Sequence, residues 1–339
     1  MTRSAGMGRH PEQSERPGRE RRNFPDGKDD VGLSIVRARL IYNPTSGREE
    51  IRRRLPHILQ RLEKGGIETS THATEGPGDA RQAASEAVRR GFDLVIAAGG
   101  DGTLNEVING LAGHERRPTL GILPYGTSND FARALRIPRR WDRACDIIVE
   151  RHTRPVDIGA ANGRYFINVA GGGYLTDLTY EVPSKLKTTL GYLAYYVKGV
   201  EKIPQLRPTR MRLRAEGVGE LEGDYLMFLI ANSRIVAGFD RLAPNAAVDD
   251  GKFDVFIVRK CNLADFLRLA TLALRGEHVK SKRVIHFQTS RIEMESESRV
   301  QLNLDGELGG ALPCTFTVLP SHLHVCVGRA AAGKAGSRA

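Results

Sequence analysis

Cysteine is scarce, with four in 339 residues: Cys145, Cys261, Cys314 and Cys326. No two stand as Cys-x-x-Cys, which excludes the common zinc spacings and a disulfide framework and points to a reducing compartment. Histidine adds no metal pattern, since none of the nine pairs as His-x-x-x-His. No run of about eighteen apolar residues occurs, so no bilayer-spanning helix is expected. The most apolar helical stretch, 263–274, is interrupted by Asp265 and Arg268. A secretory h-region is missing too. Zinc-finger spacing and RNP-type aromatic motifs are absent, and aromatics are little interleaved with the basic runs, so nucleic acid is not an expected partner. The expected location is the cytoplasm.

What the chain has in excess is positive charge, a net +11. Residues 1–36 contribute +1 and 329–339 contribute +3, which leaves +7 on 37–328. A basic body suits anionic partners, here a membrane surface or phosphorylated small molecules. Residues 1–36 have the Arg/Gly/Pro/Glu/Ser composition of a disordered leader, and 329–339 of a short basic tail. Hydrophobic residues, at 40%, suffice for real cores.

From residue 37 the pattern alternates strand and helix: strands at 37–42, 67–74, 93–98 and 119–123, helices at 49–64, 78–90 and from 130. That alternation argues for an open parallel α/β domain, 37–150. Its centre is 93–111, where an apolar run breaks at Gly99-Gly100-Asp101-Gly102-Thr103 and Leu104, Val107, Ile108 and Leu111 follow at helical spacing. Such a turn brings backbone N–H groups and a helix N-terminus close to phosphate. Polar turns at 43–47 and 124–129 also follow strands, and in an open α/β sheet those ends share one edge. After 150 the pattern changes. Strands are expected at 154–160, 164–170, 209–215, 225–231, 253–258, 283–286, 291–294, 300–304 and 315–319. Only two helices intervene, at 184–202 and 262–275. This is a mostly antiparallel β-sandwich domain, 151–328, with a strand near 320–328 returning to close the first domain.

Two acidic turns stand out. Asp305-Gly306-Glu307 is either a plain β-turn or the source of a general base. Asp249-Asp250-Gly251 is either a hairpin turn or part of a hard-cation site. The basic stretch 185–214, with Tyr192, Tyr195 and Tyr196 inside it, is either a membrane contact or a solvated face.

Taken in order, Asn43-Pro44-Thr45-Ser46-Gly47, Gly99-Gly100-Asp101-Gly102-Thr103-Leu104-Asn105-Glu106 and Pro124-x-Gly126-Thr127-x-Asn129-Asp130 resemble the diacylglycerol kinase catalytic family. Gly171-Gly172-Gly173, Asp249-Asp250-Gly251 and Asn303-Leu304-Asp305-Gly306-Glu307 continue the match, over about residues 37 to 328. The stretches 125–131 and 237–239 look most like the soluble branch from Gram-positive bacteria.

The resemblance implies an NAD-kinase/phosphofructokinase-like first domain and transfer of the ATP γ-phosphoryl group to diacylglycerol, giving phosphatidic acid. Asn43, Pro44, Thr45, Ser46, Gly47, Thr74, Gly99, Gly100, Asp101, Gly102, Thr103, Leu104, Asn105 and Thr127 would contact ATP. Glu307 would be the catalytic base, with Asp305 beside it. Asp250 and the carbonyls of Ala247 and Lys252 would hold Mg2+, and Asp101, Asp130 and Asp157 would form a carboxylate–water network with it. Arg48, Arg53 and Lys198 would face an anionic membrane, visited transiently, and the protein would be a homodimer. Another lipid acceptor (a sphingoid base, ceramide or phosphatidylglycerol) and an NAD kinase are the alternatives.

Overall fold

The computed structural model describes residues 35–47, 49–174, 207–236 and 238–332. Residues 1–34 of the leader, Arg48, the 184–202 helix expectation with Lys198, Ala237 and most of the tail lie outside the described residues, and Val36, expected in the leader, already begins the first strand.

Four parallel strands open the chain: β1 (Val36–Tyr42), β2 (Ile67–Ala73), β3 (Leu94–Gly99) and β4 (Thr119–Pro124), in spatial order β2-β1-β3-β4. Every residue of β3 is buried, as a central strand covered on both faces requires. Around these strands stand α1 (Glu50–Lys64), α2 (Asp79–Arg89), α3 (Asp101–Leu111), the short α4 (Asp130–Ala134) and α5 (Trp141–Glu150). Helix α5 is absent from the sequence reading. It buries only Ala144, Cys145 and Ile148, a narrow stripe in a polar segment.

The later strands are β5 (Thr153–Ala161), β6 (Arg164–Phe166), β7 (Val169–Gly173), β8 (Thr209–Ala215), β9 (Gly219–Ala231), β10 (Phe253–Arg259), β11 (Val284–Thr289), β12 (Arg291–Ser296), β13 (Gln301–Leu304), β14 (Glu307–Ala311) and β15 (Cys314–Cys326). All their mutual pairings are antiparallel. In β8 the side chains alternate, with Met211, Leu213 and Ala215 buried and Arg210, Arg212 and Arg214 exposed. The sandwich core contains Phe228 edge-on to Phe316, ring centroids 6.0 Å apart, and Phe166 stacked on Phe253 at 5.4 Å. The fold is therefore a parallel α/β half followed by an antiparallel β-sandwich.

Three boundaries differ from the sequence reading in a way that matters. The single strand expected at 164–170 is two, β6 and β7, because Ile167 and Asn168 turn their N–H groups to the Asp305 carboxylate instead of a ladder. Strand β9 begins at Gly219, six residues early, because Glu220 and Glu222 pair with Arg210, Arg212 and Arg214 across β8. Strand β15 runs through a bulge between Leu319 and Leu323. Beyond it, Val325 pairs in parallel with Leu120 of β4, so the last strand joins the two halves into one continuous sheet. Helix α6 (Leu263–Arg275), a single 3₁₀ turn (His278–Lys280) and a short α7 (Arg329–Ala332) complete the described elements. Among the described residues no helix is long and apolar enough to cross a membrane.

Candidate active site

The three polar turns leave the ends of β1, β3 and β4 and converge. Tyr125 N donates to the Gly99 carbonyl at 2.8 Å, and Asn43 N to the Ala98 carbonyl at 3.1 Å. Asn43 Oδ1 accepts from the Thr45 amide (3.0 Å) and hydroxyl (2.8 Å), which winds 43–47 into a tight loop. A Cβ at Gly47 would stand 3.0 Å from the Tyr125 carbonyl, so this loop lies against the 124–129 turn. A Cβ at Gly126 would stand 2.5 Å from Gly100 Cα, so these two glycine backbones touch. Gly126→Ala is expected to force the turns apart, at a cost of about 1–3 kcal/mol. Catalytic efficiency should fall more than the melting temperature suggests, read from kinetics beside calorimetry.

Asp101 serves this junction in a specific way. Its Oδ2 accepts from Asn129 N and its Oδ1 from Asp130 N, both at 2.8 Å, so the first residue of α3 holds the start of α4. Burial pushes its carboxyl above the ordinary range, while those N–H groups and Arg133 hold it back. Asp130 Oδ2 in turn accepts from Gly238 N at 2.9 Å, and Arg133 donates to the Gly238 carbonyl at 3.3 Å. Thr74, whose N–H bonds the Tyr42 carbonyl at 2.9 Å, closes β2, and Thr127 is exposed at the turn tip.

The second half reaches the same place through α3. Asp305 and Gly306 form a two-residue hairpin loop between β13 and β14, both with positive φ (52° and 96°), the conformation type I′ hairpins require. Asn105, one turn into α3, donates from Nδ2 to Asp305 Oδ2 at 2.9 Å across 200 residues of sequence. That bond seats on α3 the hairpin loop that leads into Glu307, the exposed first residue of β14. Asp305 also accepts from Ile167 N (2.7 Å), Asn168 N (2.9 Å) and Val169 N (2.9 Å). Desolvation raises its carboxyl above the usual range, and these donors oppose the rise. Sequence placed Asp305 beside Glu307 in the chemistry. A carboxylate with four donors on its two oxygens has little left for an incoming hydroxyl, so its geometry suits positioning instead.

Sequence reasoning missed Asn109, Asn168, Asn232 and Ser233. Asn109, on the same face of α3 as Asn105, donates to the Tyr165 carbonyl and accepts from the Tyr165 amide, each at 2.9 Å, and donates to Asn105 Oδ1 at 3.1 Å. The i,i+4 asparagine pair inside an apolar-periodic helix was the available signal. Asn232, fully buried, donates to the carbonyls of Asp157 and Ile167, both at 3.0 Å, and Ser233 donates to Asn168 Oδ1 at 2.9 Å. Buried polar groups bonded in sequence of this kind fix one arrangement of the elements they join.

Comparison with known proteins fits this geometry. The family model described as the diacylglycerol kinase catalytic domain matches residues 37–161, and the YegS C-terminal NAD kinase beta sandwich-like domain matches 177–327. A diacylglycerol kinase of Bacillus subtilis (strain 168) is 54% identical over 292 residues, 86% of this chain and 96% of that one. The chain belongs to the diacylglycerol kinase catalytic family. A diacylglycerol kinase of Staphylococcus haemolyticus (strain JCSC1435) is 50% identical over 289 residues, 85% of this chain and 87% of that one. Among solved structures, a diacylglycerol kinase from Bacillus anthracis strain Sterne superposes with a TM-score of 0.70 at 26% identity, covering 88% of this chain and 99% of that one.

Membership in the diacylglycerol kinase family raises the question of a divalent cation at 247–252. The loop is held where Asp157 N donates to the Val248 carbonyl at 2.7 Å and Asp157 Oδ2 accepts from Gly251 N at 2.7 Å. Arg154 neutralises Asp249 at 2.5 Å. Asp250 has no cationic side-chain partner among the described residues, and its Oδ1 accepts from Lys252 N at 3.1 Å. Its pKa is raised by desolvation and then by the nearby carboxylates Asp157, Asp254 and Asp249, an excess of negative charge that a cation relieves. Among the described residues Asn232 Oδ1 is buried without a hydrogen-bond partner, which leaves an unused oxygen acceptor on the side chain that bonds the Asp157 carbonyl. The donors are all oxygen, as Mg2+ prefers. Among the described residues no group of three His, Cys, Asp or Glu surrounds a common point. A run of hydrogen bonds joins Asp157 to α3 through Asn232, Ile167, Asp305 and Asn105.

Proposed function

We propose that this protein transfers the γ-phosphoryl group of ATP to the free hydroxyl of diacylglycerol, giving phosphatidic acid and returning diacylglycerol to phospholipid synthesis. The observation that supports this reading is the Asn105–Asp305 hydrogen bond, 2.9 Å long, which ties the helix after the glycine turn to the hairpin that precedes Glu307. The nucleotide half is assigned to 37–150 and the lipid half to 151–328. Phosphoryl transfer needs chiefly positioning and charge stabilisation, so glycine turns, Mg2+ and one base are sufficient equipment.

In this reading the loops 43–47, 99–105 and 124–129, with Thr74, receive the nucleotide. Glu307 takes the proton from the lipid hydroxyl as its oxygen attacks the γ-phosphorus, and ADP leaves. Asp305 keeps the hairpin seated on α3. Mg2+, held by Asp250 with the Ala247 and Lys252 carbonyls, would supply fixed positive charge to the loop next to Asp157. The +11 net charge supports visits to an anionic membrane face, with exposed Arg53 among the contacts. A homodimer completes the proposal.

A panel of acceptor lipids with labelled ATP tests it. Labelled phosphatidic acid is the expected product, and its absence would sink the diacylglycerol assignment. The other lipid acceptors and NAD kinase activity gain no support from the relatives, which are named diacylglycerol kinases. Added Mg2+ should raise the melting temperature of the wild type by a few degrees and leave Asp250→Asn unmoved, read by calorimetry against an EDTA blank.

A further inference from the structure

Helix α6 is anchored by one face only. Leu269 is its single buried residue, and with Phe266 it packs on Leu226, Met227 and Val258. The opposite side is apolar and exposed. Leu263, Leu267 and Leu274 are 40%, 48% and 52% accessible, three of the six exposed large hydrophobics among the described residues. Their spacing aligns them in one stripe at 3.6 residues per turn. The surroundings are strongly basic: between Arg259 and Arg283 stand seven Lys/Arg and two acids, and one of those acids, Asp265, is bound to Arg283 at 2.7 Å. Arg268 and Arg275 are exposed next to the leucines. A leucine stripe flanked by unspent cations is the make-up of a helix that lies in the plane of a bilayer, with apolar side chains at the acyl boundary and cations at headgroup phosphates.

The placement also suits access to the site. Tyr174, which follows β7 directly, sets its ring edge-on to Phe266 of α6 with centroids 6.4 Å apart. Four residues back along β7, Ala170 pairs with Leu304, the residue before Asp305. One short strand, about 13 Å by extended rise, therefore separates the helix from the hairpin.

We infer that the Leu263–Leu267–Leu274 face of α6 docks this protein on an anionic bilayer, with Arg268 and Arg275 engaging headgroup phosphates. This rests on the lipid-kinase reading for its purpose, while its test is binding and needs no turnover. The probe is sedimentation of the full-length protein with vesicles of phosphatidylglycerol and phosphatidylcholine, beside activity on detergent-dispersed diacylglycerol. Wild type should sediment with the vesicles, and less so as salt rises. Leu263→Gln, Leu267→Gln and Leu274→Gln combined should weaken partition about tenfold, with dispersed-lipid activity kept within about twofold. Arg268→Gln with Arg275→Gln should weaken partition and flatten its salt dependence. Unchanged partition of the leucine variant overturns the inference. If that variant also changes mass in light scattering, the face joins two copies of the chain. If it melts lower, the chain's own residues cover the face. Wild type without activity on any lipid, but with leucine-dependent partition, would leave the docking inference standing and remove the kinase reading.

Discussion

Glu307→Gln should lower turnover by about a thousandfold while nucleotide binding persists. General-base catalysis contributes about 10²–10⁴-fold, and a carboxamide of the same shape takes no proton. The residue is exposed and sits at the first position of β14, so the substitution leaves the hairpin intact and changes stability by less than about 0.5 kcal/mol. Steady-state rates on dispersed lipid, with nucleotide binding followed by calorimetry, separate the two effects. Turnover near the wild-type value would remove Glu307 from the chemistry and leave the site without its base.

Asp305→Asn should damage both stability and turnover. All four donors around Asp305 point at carboxylate oxygens: Asn168 N and Val169 N at Oδ1, Ile167 N and the Asn105 amide at Oδ2. An asparagine there must turn an NH2 toward two of them. Losing charged acceptors and facing donor against donor costs about 3 kcal/mol. The hairpin then loses its seat on α3, and a displacement of about 1 Å in a reacting group costs about a hundredfold in rate. Asn105→Ala separates the contributions, because it removes the link to α3 but leaves Asp305 its three backbone donors. That variant should keep most of its melting temperature and still lose turnover with little change in KM for ATP. Equal, proportionate losses of stability and rate in both variants would count against a positioning role.

The parallel half was legible in the sequence because each of its signals is local. A six-residue apolar run, a glycine break and a 3.6-residue period mark β3 and α3 without reference to anything distant. The convergence of the 43–47, 99–103 and 124–129 turns followed from one topological rule. What could not be read is whatever depends on contact across the chain. Nothing near Asn105 announces a partner 200 residues away. Ile167 and Asn168 look like strand residues until the Asp305 carboxylate claims their N–H groups. The start of β9 was hidden because Glu220 and Glu222 are poor strand formers by themselves and are held by arginines on the neighbouring strand. Asp101 stands out in the sequence only as part of the glycine turn; its grip on the Asn129 and Asp130 amides depends on residues 28 and 29 positions away.

Strand β15 sets the order in which the molecule can be completed. Its far end pairs Val325 with Leu120, so β4 gains its second neighbour from residues translated some two hundred positions later. A nascent chain that has exposed everything up to β14 still carries β4 as an open edge, the kind of edge that recruits other chains. Closure of the β4 edge therefore waits for residues 323–326, and truncation shortly before residue 320 should yield an aggregating protein even though every glycine-turn residue is present.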